Sequence, residues 1–413
     1  MRKTDVIPDR SLPASGSICI DHELIRLIHF AKDNAFSLST AAIVLAAEQR
    51  GIPWLRVNRD NVVQLGHGRR RKFINGTITS ETSHEAIRRA ADKRATNYLL
   101  GALGLPVPNQ SLVHNADEAI AGAGMIGYPV VVKPLDSYQG WGVSVAMTTP
   151  EEVEAAFARA RKFSKRVLIE AHILGLDHRM LVINDQLVAA ARRIPAHVTG
   201  DGIHTIAELI KETNKDPRRG RQHENLLSLL QLDREAERTL ARYGYGPGTI
   251  PPSGKRAYLR DTANLSAGGI AIDVTAHVHP ENREMAILSI RAIGLDVGGV
   301  DFITPDISKP FHRVGGAICE VNASPGLRMH FTPSRGKRRD VAGPIIDMLF
   351  ATGAGSKIAK STKRAVASAS PNLVSFQNES KSGDRRPGPA DVRASSGCCR
   401  PSKDRPPSRQ SLL

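Results

Sequence analysis

Apolar residues first recur at helical spacing along this chain and then gather into short β-branched runs. Leu24, Ile25, Ile28 and Ala31, followed by Ala42, Ile43 and Ala46, fall three and four apart, which predicts helix from Asp21 to about Ala47. Residues 51–57 read as a turn into a strand. Residues 62–66 and 71–76 read as a hairpin closed by the Gly/His/Arg segment 66–70. Thr82-Ser83-His84-Glu85 has the Thr-x-x-Glu form of a capping box, so a helix is expected there. It should break near Asp92-Lys93, where a second helix begins and runs to Leu103. From Leu105 strands and helices alternate. Strands are expected over 128–134, 142–146, 166–170 and 178–183, the last turning at Asn184-Asp185. Thr149-Pro150-Glu151-Glu152 starts a helix with a cap, a proline in the first turn and an acidic third residue. The charged loop 213–225 should enter a Leu-rich helix. A helix over 281–293 should lead into two apolar runs, 297–303 and 317–323. No internal repeat is visible.

Composition narrows the class. A chain of 413 residues, 41% hydrophobic and 24% charged, suits two or three packed units of a globular protein. No apolar run approaches the roughly 18 residues of a membrane span, so no membrane partner is expected. Met1-Arg2-Lys3-Thr4-Asp5 leads into no apolar segment, so no secretory leader is expected. Cys19, Cys319, Cys398 and Cys399 have no zinc-type spacing, and a reduced, cytoplasmic setting is the expectation. The net charge of +16 raises nucleic acid as a partner. Half of that excess lies in residues 355–413, with twelve Lys/Arg against four Asp/Glu. This Ser/Pro/Arg-rich stretch lacks periodicity and reads as a disordered, solvated tail, so no nucleic acid is expected.

The candidate chemistry starts with Asp301, Glu320 and Asn322. Residues two apart on a strand share a face, so Glu320 and Asn322 point the same way. If the two strands are neighbours, Asp301 joins them. Two carboxylates and an amide oxygen make an all-oxygen site, suited to Mg²⁺ held partly through nucleotide phosphates. Lys133 ends a strand, and Ser137, Gln139, Gly140 and Gly142 follow in a loop whose backbone N–H groups could approach phosphate. A structural hairpin is the other reading of that loop. Lys93 stands before a helix. The strand ending at Glu170 runs through Ala171, His172 and Ile173, a linker able to present its backbone to a base edge. Asp177 and Arg179 alternate on the next strand.

The order of these phrases resembles the ATP-grasp superfamily over about residues 90–350, and within it the ATP-grasp portion of cyanophycin synthetases. Gln139-Gly140-Trp141-Gly142-Val143, Gly175-Leu176-Asp177-His178-Arg179, Thr262-Ala263-Asn264-Leu265-Ser266-Ala267-Gly268-Gly269 and Glu320-Val321-Asn322-Ala323-Ser324-Pro325-Gly326-Leu327-Arg328 carry it, with Val63-Gln64-Leu65-Gly66-His67-Gly68 ahead of them. The resemblance implies an α+β fold in which two lobes hold ATP between them, preceded by a short N-terminal domain. The expected divisions are a disordered stretch 1–20, a truncated N-terminal domain 21–85, an ATP-grasp domain 86–352 and a disordered basic tail 353–413. It implies ATP and Mg²⁺ as cofactors and a carboxylate–amine ligation through an acyl phosphate. The expected substrates are an amino acid, aspartate in the cyanophycin reading, and a peptide or polymer acceptor. It also implies roles: Arg179 and Arg193 at the phosphates, Arg328 at a substrate carboxylate, and Asn264 in the catalytic loop. Trp141 departs from the pattern, since a basic residue is expected between those glycines. No second, Mur-ligase-like P-loop follows, so a stand-alone ligase, a homo-oligomer or a partner supplied as a separate Mur-ligase-like chain is expected. The alternatives are an ATP-grasp ligase for another substrate and a non-catalytic nucleotide-binding remnant.

Overall fold

Among the described residues, short β-branched runs bounded by turns form three larger sheets and two two-stranded pairs, and capped runs between them form the helices that cover the larger sheets. The computed structural model describes residues 35–58, 61–136, 141–221 and 225–351, within one unit spanning Met1–Gly353. The expected N-terminal disorder, the helical run before residue 35 and the basic tail lie outside the described residues.

The N-terminal sheet is an antiparallel meander of β1 (Trp54–Arg56), β2 (Val62–Leu65), β3 (Lys72–Asn75) and β4 (Ile78–Thr79). It contains the expected 62–76 hairpin. The helix Leu38–Gln49 starts at Ser37, whose hydroxyl accepts from Thr40 N. Its Ile43 and Ala47 pack with Val63, Leu65 and Ile74 of the sheet and with Ile345, Ile346 and Leu349 of the helix Gly343–Phe350. The first and last described helices thus share one core.

A second sheet has the order β5-β8-β6-β7, antiparallel throughout, from β5 (Gln110–Val113), β6 (Val130–Pro134), β7 (Ser144–Met147) and β8 (Val167–Ala171). The helices Ala116–Ile126 and Pro150–Ala160 close one face of it through Ala119, Ala123, Val153 and Phe157.

The strands β9 (Leu176–Ile183) and β10 (Gln186–Ile194) follow. Next comes a small lobe with its own core of Val198, Ile206, Leu230, Leu240 and Leu259. It holds β11 (His197–Thr199), a parallel pair β12 (Arg219–Gly220) and β13 (Leu227–Ser228), and β14 (Arg256–Tyr258) opposite β11. The chain then adds β15 (Ile270–Asp273), β16 (Val297–Thr304) and β17 (Ala317–Asn322) to an antiparallel sheet of order β15-β10-β9-β16-β17. The helix Pro280–Ile293 packs on it through Met285, Ala286, Ile290 and Ile293, beside Ala86, Ala90 and Leu100 from two further helices. Helices over antiparallel sheets make the fold α+β, as expected.

Two local expectations are corrected. The helix His84–Ala91 is capped by Ser83, whose Oγ accepts from Ala86 N at 3.1 Å. Thr82 is drawn away by Asp296, to whose Oδ1 its hydroxyl donates at 2.5 Å. The leucines after residue 225 form no helix. Asn214 holds Leu230 through both its backbone N and O, at 2.8 and 2.9 Å, and the next helix starts only at Arg234, capped by Asp233. Tertiary anchoring of an extended segment overrides helical propensity there.

Candidate active site

Strand pairing brings the separated polar residues together. On β16, Asp301 lies opposite Arg179 of β9 on one side and Glu320 of β17 on the other. The expected neighbour relation of the two acidic strands therefore holds. Asn322 lies opposite Gly299. A Cβ at Gly299 would stand 3.0 Å from Arg179 Cδ and 2.8 Å from Pro325 Cβ, so the missing side chain leaves room for the guanidinium. Arg179, Asp301, Glu320 and Asn322 line a cavity of about 1510 Å³. The same cavity is lined by Lys93, Lys133, Glu170, Ala171, His172, Ile173, Asp177, Arg193, Asn264 and Arg328.

Each cation arrives with a partner. Lys93 is the first residue of the helix Lys93–Ala102, behind Asp92, whose carboxylate accepts from Arg94 N and Ala95 N at 3.1 and 3.0 Å. The helix break expected at Asp92 is this double use of one residue as both end and start. Lys93 Nζ is 3.8 Å from Glu320 Oε1. Burial lowers the Lys93 pKa, and Glu320 only partly opposes it. Lys133 Nζ is 2.6 Å from Glu170 Oε1, with side chains 11% and 8% exposed. Burial works against the Lys133 ammonium, but the Glu170 carboxylate, with smaller help from Cys319 and Glu320, offsets it and the pKa is raised. Glu170 therefore contributes its side chain to Lys133, while the linker after it lines the cavity.

Arg179 Nε donates to Asp301 Oδ1, and its Nη2 reaches Oδ2 at 3.2 Å. Arg193 Nη2 lies 3.0 Å from Asp301 Oδ2 and 2.6 Å from Asp177 Oδ1. Burial pushes the Asp301 carboxyl up, and the two guanidiniums more than offset it, so Asp301 is held below its usual value. Asp177 is raised, because burial exceeds what Arg193 returns. Arg193 is pulled up by Asp177 and Asp301 against its burial. The result is a buried chain of alternating charge at the cavity floor. Such a network holds its members in fixed positions only because each is paired.

The remaining expected residues are placed as follows. Arg328 reaches the cavity with its Nη1 donating to Asn225 O at 3.1 Å. Asn264 caps the turn 265–267, its Oδ1 accepting from Ser266 N at 3.0 Å. Ser137, Gln139 and Gly140 lie outside the described residues. Gly142 has φ +75°, and a Cβ there would fall 2.6 Å from Phe163 and 2.9 Å from Pro134. It is a packing position of the β6–β7 hairpin and does not line the cavity. Trp141 is exposed, with its ring edge-on to Phe163 at 6.3 Å.

Sequence reasoning missed Cys319, which lines the cavity and whose thiol burial pushes up. It also missed Phe36, Ser37, Ser39 and Asn61, which bring the N-terminal helix to the cavity wall. Ser37 three residues before Thr40 was a readable cap signal. Among the described residues no three His, Cys, Asp or Glu side chains form a metal cluster. The donor set on offer is Asp301, Glu320 and the Asn322 amide, whose Nδ2 is buried without a hydrogen-bond partner. Hard oxygens of this kind fit Mg²⁺ that completes its shell with phosphate and water.

A family model described as a RimK-like ATP-grasp domain matches residues 90–200 and 255–349. It passes over most of the small lobe. The chain is 46% identical over 322 residues to a cyanophycin synthetase of Trichormus variabilis, covering 77% of this chain and 36% of that protein. It is 44% identical over 356 residues to a cyanophycin synthetase of Geminocystis herdmanii, covering 84% and 40%. The glutathione biosynthesis bifunctional protein GshAB of Clostridium perfringens is 31% identical over 318 residues, covering 76% and 41%. The chain thus spans well under half the length of the curated relatives it matches. Among solved structures, the crystal structure of a bifunctional glutathione synthetase from Pasteurella multocida matches with a TM-score of 0.58 and 28% identity, over 77% of this chain and 44% of that one.

Proposed function

Because the chain carries a RimK-like ATP-grasp domain and belongs to the ATP-grasp superfamily, we propose that it is an ATP-dependent carboxylate–amine ligase that extends the poly-aspartate backbone of cyanophycin by one aspartate. The observation that carries this is the single cavity in which two lysines, two paired arginines and the Asp301/Glu320/Asn322 set converge. The cyanophycin synthetases among its relatives supply the substrate reading.

The chemistry follows from what each group can do. An acceptor carboxylate oxygen attacks the γ-phosphorus of ATP, the bond to the bridging oxygen breaks, and ADP leaves. The acyl phosphate so formed is a good electrophile. The aspartate amine attacks its carbonyl carbon, phosphate departs, the nitrogen loses a proton to solvent, and the amide is complete. Little of this is covalent work for the protein, which positions the reactants and neutralises charge. Lys93 and Lys133 meet the phosphates. The linker over residues 171–173 lines the base. Arg179 and Arg193, oriented by Asp301 and Asp177, meet charge developing on the transferred phosphoryl group, where a planar guanidinium offers a two-pronged contact. Arg328 takes a substrate carboxylate. Asp301, Glu320 and Asn322 would hold Mg²⁺, which supplies further neutralisation of phosphate charge.

Phosphate release with ATP, Mg²⁺, aspartate and a β-Asp-Arg peptide tests the reading on the wild type, Lys133→Ala and Glu320→Ala. Both variants should lose most of their turnover. Full turnover in either overturns the assignment.

A further inference from the structure

The loop that leads into Arg328, the first residue of the short helix Arg328–Phe331, is held from outside its own sheet. Leu327 N donates to Ser39 Oγ at 3.0 Å, and Ser39 is the second residue of the helix Leu38–Gln49. Two residues earlier, Pro325 O accepts from Thr77 Oγ1 at 3.1 Å, and Thr77 follows β3 in the N-terminal sheet. Thr77 Oγ1 is also 3.3 Å from Ser324 Oγ. Between these two bonds Leu327 is fully buried, in the core formed by Ile43, Leu65 and Ile74. Gly76 belongs to the same contact. At φ +62° it takes the backbone past Ser324, whose Oγ would lie 3.3 Å from a Cβ there. The N-terminal module is separately fastened to Asp296, the residue just ahead of β16, to which Thr79 and Thr82 both donate at 2.5 Å.

A backbone amide and carbonyl bonded to side chains more than 240 positions away fix the path of the loop. Arg328 is the next residue after Leu327, so its guanidinium enters the cavity from a backbone set by the N-terminal module. Ser39 and Arg328 line the same cavity. We infer that Ser39 and Thr77 are positioning residues for Arg328, and that the N-terminal module thereby sets recognition of the substrate carboxylate while leaving the nucleotide half of the site untouched. This rests on the carboxylate role proposed for Arg328 above.

The test uses the full chain and the variants Ser39→Ala, Ser39→Thr and Thr77→Val. Hydrogen exchange of the segment 322–331 is read by mass spectrometry, and KM is measured separately for ATP, aspartate and the β-Asp-Arg peptide. Ser39→Ala should speed exchange in that segment and raise KM for one of the two non-nucleotide substrates by roughly fivefold to tenfold, the scale of one lost hydrogen bond. ATP KM should stay unchanged, and Ser39→Thr should restore both readouts. Thr77→Val should act in the same direction through an independent contact. Three KM values that move together, or unchanged exchange in a folded Ser39→Ala protein, would overturn the inference. A wild type that turns over neither substrate would instead sink the ligase reading, with the exchange result still deciding whether Ser39 holds the loop.

Discussion

Glu170→Gln isolates the part of the site whose physics is clearest. The substitution keeps the side-chain shape and removes the charge facing Lys133 at 2.6 Å. Two unit charges at that separation attract by about 6 kcal/mol at an effective dielectric near 20. Desolvation offsets part of this, and breaking a buried pair from one side costs about 3 kcal/mol net. With a urea slope of roughly 3 kcal/mol per molar for a unit of this size, the unfolding midpoint should fall by about 1 M. The second consequence is electrostatic. Glu170 is the largest of the groups that hold the Lys133 pKa up against burial, so without it that pKa should fall. In the wild type Lys133 should contribute no pH dependence to ATP affinity between pH 7 and 9, because this lysine stays charged. In the variant, affinity should drop as pH rises through that window, because the lysine loses the proton that meets the phosphates. Urea titration followed by tryptophan fluorescence reads the first effect, and calorimetry with ATP at three pH values reads the second. A midpoint shift below about 0.2 M together with flat affinity would refute the claim that the pair is what keeps Lys133 cationic.

Asp301→Asn leaves the Arg179 and Arg193 guanidiniums without their shared carboxylate, so phosphate release should fall on the order of a hundredfold, measured at saturating substrates. ATP binding without Mg²⁺ should change far less. Arg328→Ala should raise KM for a non-nucleotide substrate about tenfold or more, and Arg328→Lys should recover only part of it, since an ammonium cannot form the two-pronged contact. Burial lowers the pKa of His178 to about 4 and that of His330 to about 3. Their unfolded values lie near 6.5, so stability is full above that pH and is lost as pH falls toward the folded values, by about 3 kcal/mol per histidine at pH 4. A urea midpoint that does not decline between pH 6.5 and 4 would contradict the burial of these two rings.

Much of this was legible because the informative residues sit on short strands with strict two-residue periodicity. Glu320 and Asn322 were placed on one face by spacing alone, and the register of β16 against β17 set Asp301 across from Glu320. Asp92 was readable as a break because one acidic side chain can end one helix and cap the next. What the sequence did not disclose was pairing. Nothing local says that Glu170 turns its carboxylate onto Lys133, or that Arg179 and Arg193 share Asp301, because those contacts form between strands far apart in the chain. The same holds for Thr82, which looked like a helix cap until Asp296, 214 positions away, claimed its hydroxyl. The leucines after residue 225 misled for a related reason. Their helix-like composition lost to the hold of Asn214 on Leu230. The contribution of Ser39 to the cavity wall was hidden too, since it depends on the first described helix meeting the loop after β17, at Leu327.

No helix among the described residues is long and apolar enough to cross a membrane. The central claim is tested on the purified 413-residue chain. The wild type is incubated with ATP, Mg²⁺, aspartate and a β-Asp-Arg peptide, with each substrate omitted in turn, and phosphate and product mass are recorded. Phosphate release is expected only when both substrates are present, matched by a peptide heavier by one aspartyl residue. Phosphate release indifferent to the peptide and aspartate, with no heavier product from protein that binds ATP, would contradict it.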